Sequence, residues 1–460
     1  MKIRNDPDRL GLFATMLALL CVALSARAQD LIPSAPPQSG GVMLVGGTVH
    51  TVSGETIKSG VVGFREGRIT LVADASIMDK ISLTPDTKII DAKGKHVYPG
   101  LFAPHTRLGL IETEAVRQTR DESETGSYTP EVRAAVAVNP DSTLIPVARL
   151  NGVLLAGVMN SGGRIPGRAS IIRLDGWTWE DMTVKDDAGL IVNWPGVRPR
   201  ADSWRSRPEG DEAERIRGQL DEIGRFFDKA VAYAKARRAD PDRPDDMRLD
   251  AMLPYCGLGQ TQEGAPASGA RLLISADDYD QIVSAVSFAA GRGVRAAIVG
   301  GRDAPMCAEL LKEHNVPVIV DGVYRFPKRA DSPYDEAFTL PARLAGAGVR
   351  FCIGGADHDG NVRNLAYEAA MAARFGLDPD EAVRAITLSP AEILGVADDY
   401  GSIEQGKSAT LIITTGDVLE IPSNVEHAWI DGRAIILESK QTELRDKYTE
   451  KYRQLGLIKD

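Results

Sequence analysis

The sequence predicts an α/β protein in which a TIM-like (β/α)8 barrel is joined to a small β-sandwich domain formed by the N- and C-terminal segments. Short apolar runs separated by turn residues occupy both flanks of the chain, and in the middle such runs alternate with helical segments. At 460 residues, the chain is also long enough for one barrel and a smaller second domain.

The flanking segments predict one shared β-domain. Near the N-terminus, the apolar runs 60–64 and 68–72 are joined by Glu66-Gly67, which is typical of a hairpin. Similar short apolar runs occur near the C-terminus, at 408–413 and 428–436. We therefore expect strands from both ends of the chain to lie in one domain.

The middle of the chain predicts parallel βα units, because each short apolar run is followed by a helical segment. A charged stretch over 209–239 carries Ile216, Leu220, Ile223 and Phe227 at helical spacing, which predicts an outer amphipathic helix. In a barrel, the loops after the carboxyl ends of the strands carry the functional site. The strand-like runs are 152–158, 271–274, 294–299, 316–320 and 348–353.

The first 28 residues predict a secretory signal. Three basic residues precede an apolar run that ends in Ala26-Arg27-Ala28. The run is about 15 residues long, short of the roughly 20 that a membrane anchor needs, so we expect an exported, periplasmic protein cleaved after Ala28. The expected organisation is a signal peptide (1–28), a flexible leader (29–41), a composite β-domain (42–98 and 399–440), a barrel (99–398) and a C-terminal helical tail (441–460).

Charge and cysteine content exclude some classes of protein. The formal net charge of −10 argues against a nucleic-acid partner. After the signal, only Cys256, Cys307 and Cys352 remain, too few for a disulfide-stapled scaffold. The expected partner is a small molecule, and a homo- or hetero-oligomer stays open.

Two passages that would bracket the barrel resemble a known family. Residues 90–101, Ile-Asp-Ala-Lys-Gly-Lys-His-Val-Tyr-Pro-Gly-Leu, and residues 385–395 with 401–407 are similar to the entry into and exit from the barrel in the amidohydrolase superfamily, in particular its imidazolonepropionase-like branch. The resemblance implies histidines from strands 1, 5 and 6 and an aspartate from strand 8. Such residues hold one or two divalent metals, which lower the pKa of a bound water, and the aspartate takes the water's proton.

Several of the implied ligands are replaced here. His105 matches the first histidine of strand 1, but Arg107 stands in place of the second, and arginine has no lone pair for a metal. Ser275 stands near the strand 5 position, and strand 6 ends in Gly300-Gly301-Arg302 without a histidine.

The strand 8 passage keeps an acidic residue. By resemblance, Asp357 is the catalytic and metal-binding aspartate, with Asp359 as a rival and ordinary turn residues as the plainer alternative. His358 could reach the site from the same loop or lie on the surface.

The basic residues near the strand ends favour an anionic ligand. Arg107, Arg302 and Arg325 could pair with a carboxylate or phosphate, and a Gly-rich loop at 160–167 could offer backbone amides, although isolated surface arginines and a plain loop remain the alternatives.

Two hypotheses follow. The first is a hydrolase of carbon–nitrogen bonds other than peptide bonds, with at most one divalent metal such as zinc near His105 and Asp357. The second is a catalytically inactive protein of the same fold that binds a small anion or serves as an assembly scaffold.

Overall fold

The structure is a computed structural model that describes residues 32–198, 209–257, 270–355 and 359–458. The expected signal peptide lies outside the described residues. Residues 34–439 form one compact unit. In the second unit, the described chain forms a highly charged helix, Lys440–Gln454, with no buried residue.

The β-domain is one curved sheet assembled from both flanks. Its order is β16-β15-β14-β5-β1-β2-β3, with β4 paired in parallel to β1. The flanks join where β14 runs antiparallel to β5, with Leu411 opposite Pro99. Phe64 and Trp429 meet edge to face at 5.5 Å in its core, so the composite β-domain predicted from the flanks is confirmed. Its strands are β1 Val42–Val49, β2 Ile57–Arg65, β3 Arg68–Asp74, β4 Lys88–Asp91, β5 His96–Pro99, β14 Leu411–Thr414, β15 Val425–Ile430 and β16 Arg433–Ala434.

The barrel is a second eight-stranded sheet in the order β13-β12-β11-β10-β9-β8-β7-β6. The two ends of this path approach each other, because a Cβ placed on Gly354 after β13 would lie 3.8 Å from the Cβ of His105 on β6. The predicted TIM-like barrel is therefore confirmed. Its strands are β6 Leu101–Thr106, β7 Val153–Val158, β8 Gly167–Arg173, β9 Thr183–Asn193, β10 Arg271–Ala276, β11 Arg295–Gly300, β12 Val318–Val320 and β13 Phe351–Ile353.

One strand departs from the parallel pattern. β8 runs antiparallel to both β7 and β9, whereas β9 to β13 and the pair β6–β7 are parallel. The connections on either side of β8, 159–166 and 174–182, are shorter than the dozen or so residues that a parallel crossover needs. The alternation of strand and helix is therefore interrupted at this point of the barrel.

Helices cover the outside of the sheet. The helix predicted over 209–239 is observed at Glu209–Ala239, and Ile216, Ile223 and Phe227 are its buried residues of the predicted stripe. Within the described ranges, no helix is both long and apolar enough to cross a membrane. The described α-helices of the compact unit are α1 Leu144–Arg149, α2 Trp179–Met182, α3 Glu209–Ala239, α4 Met247–Met252, α5 Tyr279–Gly291, α6 Ala308–Glu313, α7 Glu336–Gly346, α8 Leu365–Arg374, α9 Pro379–Ala385 and α10 Leu388–Leu394.

The barrel interior has its own core. Leu273, Val299, Ile319 and Cys352 come from four adjacent strands and belong to one buried cluster. Alternate residues of the same strands, such as Leu272 and Ile298, pack in the larger core that includes the surrounding helices. This alternation identifies which side chains of each strand point into the barrel.

Candidate active site

Polar side chains gather where the barrel strands end. His105 is the fifth residue of β6, and Asp321 directly follows the buried run of β12. Because the carboxyl ends of parallel strands meet at one end of a barrel, these two residues lie together. The His105 Nδ1 atom is 3.1 Å from Oδ1 of Asp321.

The surroundings keep Asp321 ionised. Burial by itself would raise its pKa, but the neighbouring His105 and the positive charges of Arg302 and Arg325 lower it below the ordinary value for an aspartate. Part of the carboxylate surface is still open to solvent. An ionised Asp321 can only accept at this contact, so it favours the tautomer of His105 with a proton on Nδ1, and in the neutral ring Nε2 then carries the lone pair.

A second carboxylate, Asp277, follows β10. Its backbone N–H donates to the side chain of Gln281, which belongs to the capping box that starts α5. Its carboxylate is 3.4 Å from Nε of Arg302 and accepts a hydrogen bond from the Arg302 backbone N–H at 3.3 Å. Burial raises the pKa of Asp277, although the charges of Arg302 and Lys328 oppose this effect.

Gly300 makes the close approach of Asp277 possible. Its φ is +99°, a conformation that favours glycine, and a Cβ at this position would lie 2.6 Å from Oδ1 of Asp277. The place where the family resemblance implies a histidine is therefore a backbone position against which a carboxylate packs.

The loop after β12 brings in a buried arginine. Arg325 has a side chain that is 8% exposed, and its Nη1 lies 3.7 Å from Oε1 of Glu336, beyond hydrogen-bond distance. Within the described residues, its Nη1 and Nη2 atoms have no hydrogen-bond partner. Burial and the neighbouring charge of Arg302 lower the pKa of this guanidinium. Arg302 and Arg325 are thus two neighbouring cations, and among the described residues Arg325 has donors left without an acceptor.

Further charges fix this loop. Nζ of Lys328 and Nη2 of Arg329 lie 2.9 and 2.8 Å from the buried carboxylate of Asp303. Burial by itself would raise the pKa of Asp303, but hydrogen bonds from the two cations lower it to about 2. Glu368 accepts hydrogen bonds from the backbone N–H groups of Val323 at 2.5 Å and Tyr324 at 3.2 Å. The loop that carries Asp321 and Arg325 is therefore tied down on both sides.

Two other sequence-predicted residues, Arg107 and Ser275, also lie at strand ends. Arg107 follows β6 and lies 3.8 Å from Glu114, and its charge helps to lower the pKa of Glu122. Ser275 lies in β10, opposite Val299 of β11, with a partly buried side chain. The strand-end placement predicted for both is observed, and their proposed binding roles stay predictions.

The proposed strand 8 residues lie outside the described residues. Asp357 and His358 fall in the segment 356–358, outside the described residues, and the side chain of Asp359 is also not described. The catalytic and metal-binding assignments to this loop stay predictions.

The described donor set does not by itself fit a metal. Across residues 32–198, 209–257, 270–355 and 359–458, no group of three or more His, Cys, Asp and Glu side chains is placed to hold an ion. His105 and Asp321 are two potential ligands, whereas catalytic zinc sites use three from the protein. Arg302 and Arg325 also place positive charge beside Asp321.

The Gly-rich loop at 160–167 uses several of its amides within the protein. The N–H of Ser161 donates to the carbonyl of Glu122, and those of Arg164 and Ile165 donate to the carbonyl of Ser127. These bonds favour the plain-loop alternative over an anion cradle.

Sequence reasoning missed the two carboxylates that define the site. Asp321 follows the apolar run 316–320 and Asp277 follows 271–276, so the expectation that functional residues follow the carboxyl ends of barrel strands points to both. The family resemblance implies ligands on strands 1, 5, 6 and 8, whereas Asp321 follows strand 7.

A barrel with polar residues at the carboxyl ends of its strands, joined to a β-domain from both flanks, is the architecture expected from the family resemblance. The pattern of the Amidohydrolase family matches residues 279–435. Together with the relatives described below, this match supports placement in the amidohydrolase superfamily, in its imidazolonepropionase-like branch.

Particular relatives support this placement. The chain is 24% identical over 375 residues to an imidazolonepropionase from Symbiobacterium thermophilum, covering 78% of this chain and 84% of that protein. It is 28% identical over 379 residues to an imidazolonepropionase from Mesorhizobium japonicum, covering 78% and 86%. In fold, it is similar to an amidohydrolase from Thermotoga maritima with a TM-score of 0.72 at 24% identity, covering 86% of this chain and 99% of that one.

Proposed function

We propose that this protein hydrolyses a carbon–nitrogen bond, other than a peptide bond, in a small molecule that carries an anionic group. The observation that carries the proposal is the His105–Asp321 pair, 3.1 Å apart at the carboxyl ends of β6 and β12, with Arg302 and Arg325 beside it. Placement in a hydrolase superfamily supports the reaction class.

The chemistry needs a base for the attacking water and an acid for the leaving nitrogen. His105 would accept a proton from water at Nε2 while Asp321 holds Nδ1–H and stabilises the imidazolium that forms. Water adds to the carbonyl carbon, the carbon–nitrogen bond breaks, and the nitrogen must receive a proton. Asp277 is the candidate donor: it follows β10 at the same end of the barrel, 3.4 Å from Nε of Arg302, and burial shifts its pKa upward.

Arg302 and Arg325 would bind the anionic group of the substrate. A guanidinium forms paired hydrogen bonds with a carboxylate or phosphate, and Arg325 has two buried nitrogen atoms with no acceptor among the described residues. Several relatives are imidazolonepropionases, and that name describes a substrate with an imidazolone ring and a propionate group. A cyclic amide that carries a carboxylate is therefore the expected kind of substrate. At most one divalent metal would bind near His105. That metal would need a further protein ligand such as Asp357, which lies outside the described residues.

The test is turnover of a panel of cyclic amides and acylated small carboxylic acids. We expect His105→Asn to lower kcat by about 10²–10⁴. Arg302→Gln should raise KM more than it lowers kcat. His314→Asn, at an exposed helix end, is the matched control and should match the unaltered protein. Equal turnover in His105→Asn and the control would overturn the proposed base.

The second candidate is an inactive small-anion binder or scaffold. It is favoured by the packing of Asp277 against Gly300, which occupies the place of an implied metal ligand. Under this proposal, the unaltered protein binds a carboxylate ligand and the Arg302→Gln variant does not. No member of the panel is hydrolysed, with or without added zinc. Zinc-stimulated turnover in the unaltered protein would eliminate this candidate.

We further propose that the protein acts in the periplasm after cleavage behind Ala28. The sequence pattern of residues 1–28 supports this proposal. N-terminal sequencing of protein recovered from the periplasmic fraction should begin at Gln29, and a product retained with its first residues in the cytoplasm would contradict it.

A further inference from the structure

Three arginines lie at the end of the barrel opposite the candidate active site. Arg271 is the first residue of β10, Arg295 is the first residue of β11, and Arg350 immediately precedes β13. The amino ends of parallel strands meet at one end of a barrel, so these residues are on the same side.

The strand alternation places these three positions on the inner side of the sheet, with Arg295 and Arg350 exposed at its rim. Each lies two residues before a member of the inner core: Leu273, Ala297 and Cys352, respectively. In strands, residues two positions apart point to the same face. The charge of Arg271 also acts on the pKa of the fully buried Cys352 thiol, which places the two side chains near each other.

A lysine adds a fourth positive charge. Lys185 of β9 donates from Nζ to the carbonyl oxygens of Leu394 at 2.9 Å and Gly395 at 3.3 Å. Burial and the charges of Arg271 and Arg295 lower the pKa of Lys185, while Asp187 opposes this effect. Four positive charges thus gather at this end of the barrel, although the formal net charge of the whole chain is −10.

Arg271 is the least compensated member of the group. Among the described residues, its Nε and Nη1 atoms are buried and have no hydrogen-bond partner. Burial and the positive charges of Arg295 and Arg350 lower the pKa of this guanidinium to about 10. Arg350 is better satisfied, because its Nη2 lies 2.8 Å from Oδ1 of Asn315.

A negatively charged ligand would stabilise this group of cations. A buried cation is costly unless it is paired, and each buried N–H without an acceptor adds to that cost. Two guanidinium groups that start neighbouring, register-paired strands can share one oxyanion, since each presents a planar fork of donors.

We propose that the amino-terminal end of the barrel binds a small oxyanion, of the phosphate or carboxylate class, between Arg271 and Arg295, with Lys185 and Arg350 adding positive charge around it. This site is separate from the candidate active site, because it lies at the opposite ends of the same strands. Its occupant neutralises Arg271 and so stabilises the folded barrel.

Inorganic phosphate is the probe. At constant ionic strength, phosphate should raise the Tm of the full chain above that in chloride, and calorimetry should detect binding. Arg271→Met should reduce the affinity for phosphate by about tenfold or more, because charge-assisted hydrogen bonds are lost. It should also be at least as stable as the unaltered protein without phosphate, because the uncompensated charge is gone.

Two further variants separate this site from the active site and from general charge effects. Arg302→Gln should keep the part of the stabilisation by phosphate that Arg271→Met removes, and Arg217→Gln on the exposed face of α3 should keep all of it. If Arg271→Met does not fold, Arg295→Gln, which alters an exposed residue, is expected to give the same loss of binding.

The source of the anion is tested by comparing phosphate with acetate and with a simple phosphate monoester. Preference for the monoester would identify a phosphorylated small molecule, and preference for acetate would identify a carboxylate. Equal Tm values in phosphate, acetate and chloride, or unchanged phosphate binding in Arg271→Met and Arg295→Gln, would overturn the proposal. Neither outcome depends on hydrolytic activity.

Discussion

At the scale of single residues, burial and neighbouring charges set the pKa of an aspartate more strongly than its position after a strand does. Asp277 and Asp321 are both aspartates that follow barrel strands, yet burial raises the pKa of the first, and His105 with two arginines lowers that of the second. The pKa values of two identical side chains are thereby moved in opposite directions.

Gly300 gives a prediction at this scale. We expect Gly300→Ala to destabilise the protein by more than about 2 kcal/mol, because a positive φ is strained for alanine and the new Cβ meets the Asp277 carboxylate at 2.6 Å. Gly94→Ala is the matched control: its φ is +72° and nothing lies within 4 Å of the added Cβ. Urea denaturation measures both. Equal losses in the two variants would show that the contact with Asp277 is unimportant.

At the scale of elements, strand ends depend on neighbours that hold their loops. The backbone N–H groups of Val323 and Tyr324 both donate to Glu368 of α8. This contact fixes the residues between Asp321 and Arg325, and so links the geometry of the site to a helix outside it.

We expect Glu368→Ala to destabilise the protein by about 2–4 kcal/mol, because two amides lose a charged acceptor. Hydrogen exchange at the amides of residues 323 and 324 should accelerate more than elsewhere in the barrel. Glu313→Ala, which alters an exposed carboxylate at the end of α6, is the control. Unchanged exchange at the two amides in Glu368→Ala would contradict the anchoring role.

The β-domain contains a pH-sensitive contact between neighbouring strands. His50 Nε2 is 2.9 Å from His96 Nδ1, and the His50 ring stacks on Tyr98 with centroids 4.1 Å apart. Burial, followed by the charge of His96, lowers the pKa of His50 from 6.5 to about 4. In the folded protein, His50 is therefore neutral over a pH range in which the unfolded chain protonates it.

The sign of the effect follows from this depressed pKa. The unfolded state binds more protons between pH 6.5 and about 4, so stability should be lost as the pH falls through this window. His50→Phe keeps a ring against Tyr98 and cannot be protonated, so its loss of Tm over the window should be smaller. Parallel Tm curves for the two proteins between pH 7 and 4 would refute the assignment to His50.

At the scale of the whole molecule, one buried carboxylate joins the barrel to the β-domain. Asp175 follows β8, and its oxygens accept hydrogen bonds at 2.8 Å from Arg149 before β7 and from Arg433 of β16. Ser34, near the start of the described chain, donates to the same carboxylate at 2.9 Å. Asp175 is 3% exposed, so it draws segments from both domains to one point.

Asp175→Asn should destabilise the compact unit by about 3–5 kcal/mol, since two buried or partly buried guanidinium groups lose their charge partner. Urea denaturation followed by Trp fluorescence is the measurement. Asp141→Asn, at an exposed position, provides the comparison. A loss no larger than that of the control would mean that the contact adds nothing to the cohesion of the two domains.

Much of the architecture was predictable because it depends on local patterns. The outer helix over 209–239 follows from apolar residues at helical spacing, and the fully apolar Val318–Val320 suits a strand buried on both faces. The antiparallel β8 was not predicted, because a short apolar run does not show in which direction a strand will pair.

The sequence by itself determined the barrel, the β-domain shared by both flanks, and the place of His105 at the end of the first barrel strand. Only the tertiary structure decided that Asp321 is the partner of His105, that Asp277 fills the space beside Gly300, and that Arg271 starts its strand among other cations. The physical reason is that strand and helix patterns depend on neighbours in the chain. Hydrogen bonds, burial and pKa values depend on residues brought together from distant parts of it.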